Sequence, residues 1–302
     1  MSFQERFRTI WVASIATPAL FLALVPRQKR IDATAILTPQ QEDELLIRSG
    51  TLLKKLSLGY DSLLADIYWT RAVQYYGNHV QLPQPEYESL YPLLDIATTL
   101  DPHLVIAHEF GALLLSEPLP VGAGRPDLAI ELVRKGIAAN PTDYRLPASL
   151  GFIYYWHLHD YQKSSDAYLA GSKYPGAPVW LKGMAARVAE LGNSRETSVF
   201  IWSQLYQSSN EPSVRENALK HLQALKADQD LEQLKKLVAE YNHRFGHFPS
   251  STQELVSAGM LRGAPLDPAG FPYVIRPGGD AGLSPQSTVS LDILSPIFPP
   301  RK

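Results

Sequence analysis

Residues 129–141 read AIELVRKGIAANP, and this stretch decides the fold. Small and bulky apolar residues recur in it at helical spacing, so they share one face of a helix. A proline then follows, which cannot continue that helix. The residues that carry the pattern are Ala129, Val133, Gly136 and Pro141. The stretch therefore predicts an amphipathic helix that packs closely on a neighbour and ends before the proline.

The same closing signal occurs three times, at Asp101-Pro102, Asn140-Pro141 and Tyr174-Pro175. Its prolines are 39 and 34 residues apart. A recurring spacing in this range is typical of arrays of helical hairpins. Partner helices are predicted at residues 105–116, 146–158 and 179–191, each with an internal glycine that allows close packing: Gly111, Gly151 and Gly183. The alternative is a non-repetitive bundle of proline-terminated helices.

These features resemble the tetratricopeptide repeat family over residues 87–212. The matching residues are Ala97 and Pro102 in one unit, Ala129, Val133, Gly136 and Pro141 in the next, and Leu150, Gly151, Tyr154, Tyr161, Ala170 and Pro175 in a third. The resemblance implies an all-α solenoid of helical hairpins. A Pro/Gly-rich insertion at residues 117–126 departs from the family pattern, and a fourth unit around Ser198, Trp202 and Leu205 is degenerate.

The resemblance also implies a binding surface. Solenoids present an extended concave face, which in this family is lined by the first helix of each repeat. Matching the chain to the repeat pattern places Glu109, Arg145, Tyr155 and Lys182 on that face. The alternative for each of them is an ordinary surface residue. The predicted function is a scaffold for protein–protein interaction in the assembly of a membrane or envelope complex, without a catalytic site or a cofactor.

An apolar run at residues 10–25 indicates a membrane anchor. At 1.5 Å per residue it spans about 24 Å, slightly less than the roughly 30 Å hydrocarbon core. No good cleavage site follows it, so we expect an uncleaved, single-pass helix. The short basic leader before the run resembles an export signal and favours an extracytoplasmic, periplasmic repeat domain. The basic residues that follow it, Arg27, Lys29 and Arg30, argue for the other orientation.

The rest of the chain divides by composition. We predict a membrane anchor at 1–30, a linker and N-terminal helices at 31–86, repeats at 87–212, C-terminal helices at 213–262 and a Pro/Gly-rich cap at 263–302. Outside the repeats, helices are predicted at 40–56, 60–76, 214–225 and 230–245, and a short one is capped by Ser250 or Ser251 and ended by Gly259.

The C-terminal passage resembles the end of type II secretion pseudopilins. The matching residues are Gly246, Phe248, Pro249, Leu255, Asp267, Pro268, Gly270, Pro272 and Tyr273. The resemblance implies a small irregular or β-containing cap. The pseudopilin amino terminus, a processing site followed by a long apolar helix, is missing, so we predict a shared structural cap and infer no polymerisation from it.

The composition of the chain excludes several kinds of functional site. A net charge of −2 leaves no basic footprint for nucleic acid. The chain has no cysteine, which excludes disulfides, thiolate nucleophiles and cysteine metal sites. One rival hypothesis is a metal- or cofactor-assisted enzyme that uses His243 and His247, which have i, i+4 spacing, together with Glu240. Gly246 and Pro249 indicate that the helix ends there, which weakens this alternative.

Overall fold

The structure is a computed structural model that describes residues 49–295. Within them it contains eleven α-helices and one antiparallel pair of strands. The helices are α1 (Gly50–Leu56), α2 (Asp61–His79), α3 (Leu90–Leu100), α4 (Val105–Ser116), α5 (Pro126–Ala139), α6 (Arg145–Trp156), α7 (Tyr161–Gly171), α8 (Val179–Leu191), α9 (Arg195–Ser208), α10 (Pro212–Phe245) and α11 (Thr252–Ser257). The strands are β1 (Val274–Arg276) and β2 (Asp280–Gly282), and a 3-10 turn follows at Asp292–Leu294.

Helices α2 to α9 pack as neighbouring pairs: α2 with α3, α4 with α5, α6 with α7 and α8 with α9. Each pair also contacts the next, and α4 touches α6 directly. This packing is consistent with a helical repeat solenoid. The helices predicted at 105–116 and 179–191 are confirmed by α4 and α8, while the one predicted at 146–158 is α6 and begins and ends slightly earlier.

Glycines set the closest approaches between the paired helices. A Cβ atom at Gly111 would lie 2.7 Å from Leu94 Cδ2, and one at Gly151 would lie 2.9 Å from Tyr168 Cδ1. Neither distance is tolerable for carbon atoms, so these two glycines serve close packing as predicted. The same prediction is wrong for Gly183, where the nearest atom, on Trp202, is 3.8 Å away and leaves room for a methyl group.

Helix α10 corrects the prediction of two separate helices at 214–225 and 230–245. The structure has one helix of 34 residues. The four residues between the two predicted segments, KADQ, contain no helix breaker, and buried Ala227 continues the apolar stripe. Arg195 of α9 pairs across this join with Asp228 at 2.5 Å and with Glu232 at 3.0 Å. The helix ends at Gly246, whose φ of 79° is the left-handed closing conformation.

The small cap at the C-terminal end has the predicted strand content. Strands β1 and β2 pair in antiparallel register, with Ile275 opposite Ala281. Asp267 Oδ1 accepts hydrogen bonds from the backbone N–H groups of Ala269 and Phe271, both at 2.9 Å, and this fixes the turn before β1. The cap packs on the second half of α10 through a separate apolar cluster: Leu231, Leu234, Val238, Tyr241, Leu255, Tyr273, Ile275 and Ala281.

Three predictions lie outside the described residues: the membrane anchor at 10–25, the first part of the helix at 40–56, and the end of the tail at 296–302. Within residues 49–295, no helix combines the length and the apolar character that crossing a bilayer requires.

Candidate functional site

A surface cavity of about 600 Å³ opens between α4, α6 and the start of α8. We call it the α4–α6–α8 groove. Two of the side chains that line it are large, apolar and solvent-facing: Phe110 is 49% exposed and Trp180 is 56% exposed. The groove is lined by Glu109, Phe110, Leu113, Tyr144, Arg145, Ala148, Ser149, Phe152, Ile153, Tyr168 and Trp180.

The helical-hairpin packing explains where the groove lies. Helices α4 and α6 are the first members of successive pairs, and they contact each other directly. The floor of the groove includes the small side chains of Ala148 and Ser149 on α6. The bulky residues on either side, Phe110 on α4 and Trp180 on α8, stand as its walls. A hollow with an apolar lining and a few polar groups is the usual form of a binding site.

The charges in the groove are not equivalent. Arg145 forms a bidentate ion pair with Asp143, in which Nε lies 2.9 Å from Oδ1 and Nη2 lies 2.6 Å from Oδ2. The hydrogen bonds from Arg145 hold the pKa of the Asp143 carboxyl below its usual range. Glu109 is half-buried, and burial raises the pKa of its carboxyl, although the nearby Arg145 opposes the rise. The positive charge of Arg145 is thus already compensated by Asp143.

The four residues predicted to bind a partner fall into two groups. Glu109 and Arg145 both line the groove, whereas Tyr155 and Lys182 do not. Tyr155 packs against the core near Tyr161, and burial raises its pKa. Lys182 is half-buried on α8, and its pKa is lowered first by burial and then by Lys173. Whether any of the four binds a partner stays a prediction.

The sequence reasoning missed the aromatic walls of the groove. Phe110 directly follows the predicted Glu109, and Trp180 is the second residue of α8. Both are large apolar residues that the fold leaves exposed, and so is the neighbouring Val179. The repeat pattern could not identify them, because it does not show which apolar side chains the packing of neighbouring helices leaves uncovered.

A second cavity of about 570 Å³ adjoins the first and shares Trp180 with it. Part of its lining comes from the chain's own C-terminal segment, residues 292–295. Arg187 Nη2 donates a hydrogen bond to the Ser295 carbonyl, and Leu294 packs against the apolar core formed by α7 to α10. The C-terminal segment therefore lies along α8 and α10, where it covers part of the surface next to the groove.

Beneath this second cavity lies a buried polar cluster centred on Glu190, whose side chain is 2% exposed. Its carboxylate accepts hydrogen bonds from Arg187 Nη1 at 2.6 Å, Trp202 Nε1 at 2.5 Å and Ser198 Oγ at 3.2 Å, and it lies 2.9 Å from His221 Nδ1.

These contacts have opposing effects on Glu190. Burial acts to raise its pKa, but the bonds from His221, Arg187 and Trp202 outweigh it and hold the pKa below its usual range. The Trp202 and His221 rings also stack, with centroids 4.1 Å apart. Because the donors come from α8, α9 and α10, the cluster ties these three helices together.

The histidine pair of the rival hypothesis is not assembled. His243 lies in the last turn of α10, but the helix ends at Phe245. His247 therefore lies beyond the helix, and its Nδ1 is 3.1 Å from the carbonyl of the adjacent Phe248. Among residues 49–295, no group of three or more metal-ligating side chains is placed to share an ion. The predicted end of the helix near Gly246 is confirmed.

No family model, curated protein or solved structure matches this chain. The groove between α4, α6 and α8 combines apolar side chains that face solvent with the charged groups of Glu109 and Arg145.

Proposed function

We propose that this protein is a scaffold whose α4–α6–α8 groove binds a segment of a partner protein during assembly of a membrane or envelope complex. The observation that carries the proposal is the hollow of about 600 Å³ with aromatic walls, formed where the first helices of successive hairpins meet. The resemblance of residues 87–212 to tetratricopeptide repeats supports the same reading, since that family binds proteins.

Burial of the groove's apolar side chains by a partner would stabilise a complex. Phe110 and Trp180 are about half exposed, and removing apolar surface from water stabilises a complex by about 25 cal/mol per Å². Exposed apolar surface bordered by polar groups is a common sign of a protein interaction site. Aromatic residues and arginine, both present here, are also the residue types that contribute most to binding.

The proposal includes a location. The apolar run at residues 10–25 would anchor the chain in the membrane as a single-pass helix, with the repeats on the extracytoplasmic side. The full-length chain should then sediment with membranes and resist extraction with carbonate. Protease added to intact spheroplasts should digest the repeats. Protection until the membrane is lysed would place the repeats in the cytoplasm.

Affinity purification of the tagged full-length chain from membranes tests the partner. Ser149→Trp places a bulky side chain in the groove. Glu196→Gln, at an exposed position of α9, is the control. We expect the same partner with the wild type and the control and much less of it with Ser149→Trp. Equal recovery with all three chains would reject the groove as the binding site.

A further inference from the structure

The groove has one carboxylate to which no side chain of the fold is bonded. Within residues 49–295, the Glu109 carboxylate makes no hydrogen bond and no ion pair. The cation beside it, Arg145, is bound through two nitrogens to Asp143 instead. These three residues sum to one negative charge, so the partner that best completes the groove brings a cation. A half-buried carboxylate gains more from such a cation than a fully solvated one does, because water screens it less.

The remainder of the groove is apolar. Phe110, Phe152 and Trp180 surround the hollow, and Ala148 leaves space between them. Its volume of about 600 Å³ falls within the range of pockets that accept an organic group of considerable size. A bulky aliphatic or aromatic side chain would bury these rings. The same rings attract a neighbouring lysine or arginine through their π-faces.

The surface beside the groove already packs against a piece of the chain's own polypeptide. Residues 292–295, which include the 3-10 turn, lie against α8 and α10 and line the adjoining cavity. They are held by an apolar contact of Leu294 and by the bond from Arg187 to the Ser295 carbonyl. Trp180 lines this cavity and the open groove alike. Side-chain burial and a main-chain hydrogen bond thus already hold a polypeptide segment next to the open groove.

We infer that the α4–α6–α8 groove takes a basic segment of a partner protein, with a bulky apolar side chain in the hollow and a lysine or arginine paired with Glu109. This inference rests on the proposed function, in which the groove binds a protein. It adds the chemistry of the bound segment. An acidic segment is disfavoured because it would place a second carboxylate beside Glu109 without a free cation to compensate it.

Selection from a phage-displayed library of random dodecapeptides tests the inference directly on the immobilised full-length chain. We expect the enriched peptides to carry lysine or arginine within a few positions of a bulky apolar residue. Glu109→Gln should weaken the best peptide about tenfold in fluorescence anisotropy, the size expected for one charge-assisted contact. Glu196→Gln, the matched control on α9, should leave its affinity unchanged. A repeat selection on Glu109→Lys should enrich acidic peptides instead.

The outcomes separate the inference from the proposed function. If the enriched peptides lose binding with Ser149→Trp but show no basic preference and ignore Glu109→Gln, the groove binds polypeptide and the inference is wrong. If no peptide depends on Ser149, both are wrong. Light scattering tests whether a second copy of the chain binds in the groove. Self-association of the wild type that Ser149→Trp abolishes would show this and overturn the inference.

Discussion

Gly136 offers the sharpest test of the helix packing, because a matched glycine is available as a control. A Cβ atom at Gly136 would lie 2.7 Å from His108 Cγ and 2.9 Å from its Cβ and Nδ1. His108 is completely buried, and its Nδ1 lies 2.9 Å from the Leu132 carbonyl. Gly136→Ala therefore forces the ring to move. Gly183, in the interior of α8, has open space where a methyl group would go.

Gly136→Ala and Gly183→Ala are expected to change the free energy of unfolding in opposite directions. Replacing glycine by alanine inside a helix stabilises it by about 1 kcal/mol through backbone propensity. At Gly136 this gain is offset by overpacking, about 1–3 kcal/mol, and by loss of the His108 hydrogen bond, about 1 kcal/mol. The net effect of Gly136→Ala is a loss of about 1–3 kcal/mol, and Gly136→Leu should be at least as damaging. Gly183→Ala keeps the gain.

Thermal unfolding followed by circular dichroism measures the difference. At about 2–4 °C per kcal/mol for a domain of this size, Gly136→Ala should lower Tm by about 2–12 °C. Gly183→Ala should raise Tm by a few degrees at most or leave it unchanged. Equal stability of Gly136→Ala and the wild type would show that α5 does not approach α4 as closely as described. A loss with Gly183→Ala as large as that with Gly136→Ala would refute the explanation by local space.

Three further changes probe other contacts. Glu190→Gln should cost about 3 kcal/mol near neutral pH, because the buried Arg187 guanidinium loses the negative charge that compensates it. Since the pKa of Glu190 is held low in the fold, its contribution is present above the unfolded pKa and lost as pH falls through the folded one. The Tm gap to wild type should therefore narrow on acidification, and a constant gap would contradict this. Asp267→Ala should cost about 2 kcal/mol and speed amide hydrogen exchange at Phe271, and unchanged exchange there would refute the turn. Ser165→Ala removes the hydrogen bond to the Ala185 carbonyl and should lower the free energy of unfolding by about 1 kcal/mol. Urea unfolding measures this loss, and Ser208→Ala, at an exposed hydroxyl, is the control.

The sequence predicted the helical architecture well where local signals were strong. Proline after α3 and α5 marks the end of each helix, because proline cannot continue the hydrogen-bond ladder. The single long helix α10 was predicted as two helices, because three of the four residues 226–229 are polar and interrupt the apolar pattern. Buried Ala227 continues the apolar stripe through this stretch, and Arg195 of α9 pairs with Asp228 and Glu232 across it. A contact between distant residues leaves no trace in local periodicity.

The groove was predictable only in part for the same reason. The repeat register placed Glu109 and Arg145 on the face that lines it. It could not show that Arg145 is committed to Asp143, two residues earlier, and that Glu109 is left without a cation. Nor could it place the chain's own Ser295 against Arg187, since these residues are more than a hundred positions apart. Pairing of charges depends on side-chain geometry, which the repeat pattern does not specify.

Site-specific photo-crosslinking tests the central claim most directly. A photoreactive amino acid replaces Phe110 in the groove, or Phe200 on α9 as the control, in the full-length chain expressed in its native cells. The two phenylalanines are similarly exposed, at 49% and 59%. A groove that binds a partner protein should give a discrete adduct from position 110 that is absent from position 200 and disappears with Ser149→Trp. No adduct at position 110, or the same adducts at both positions, would contradict binding of a partner in the groove.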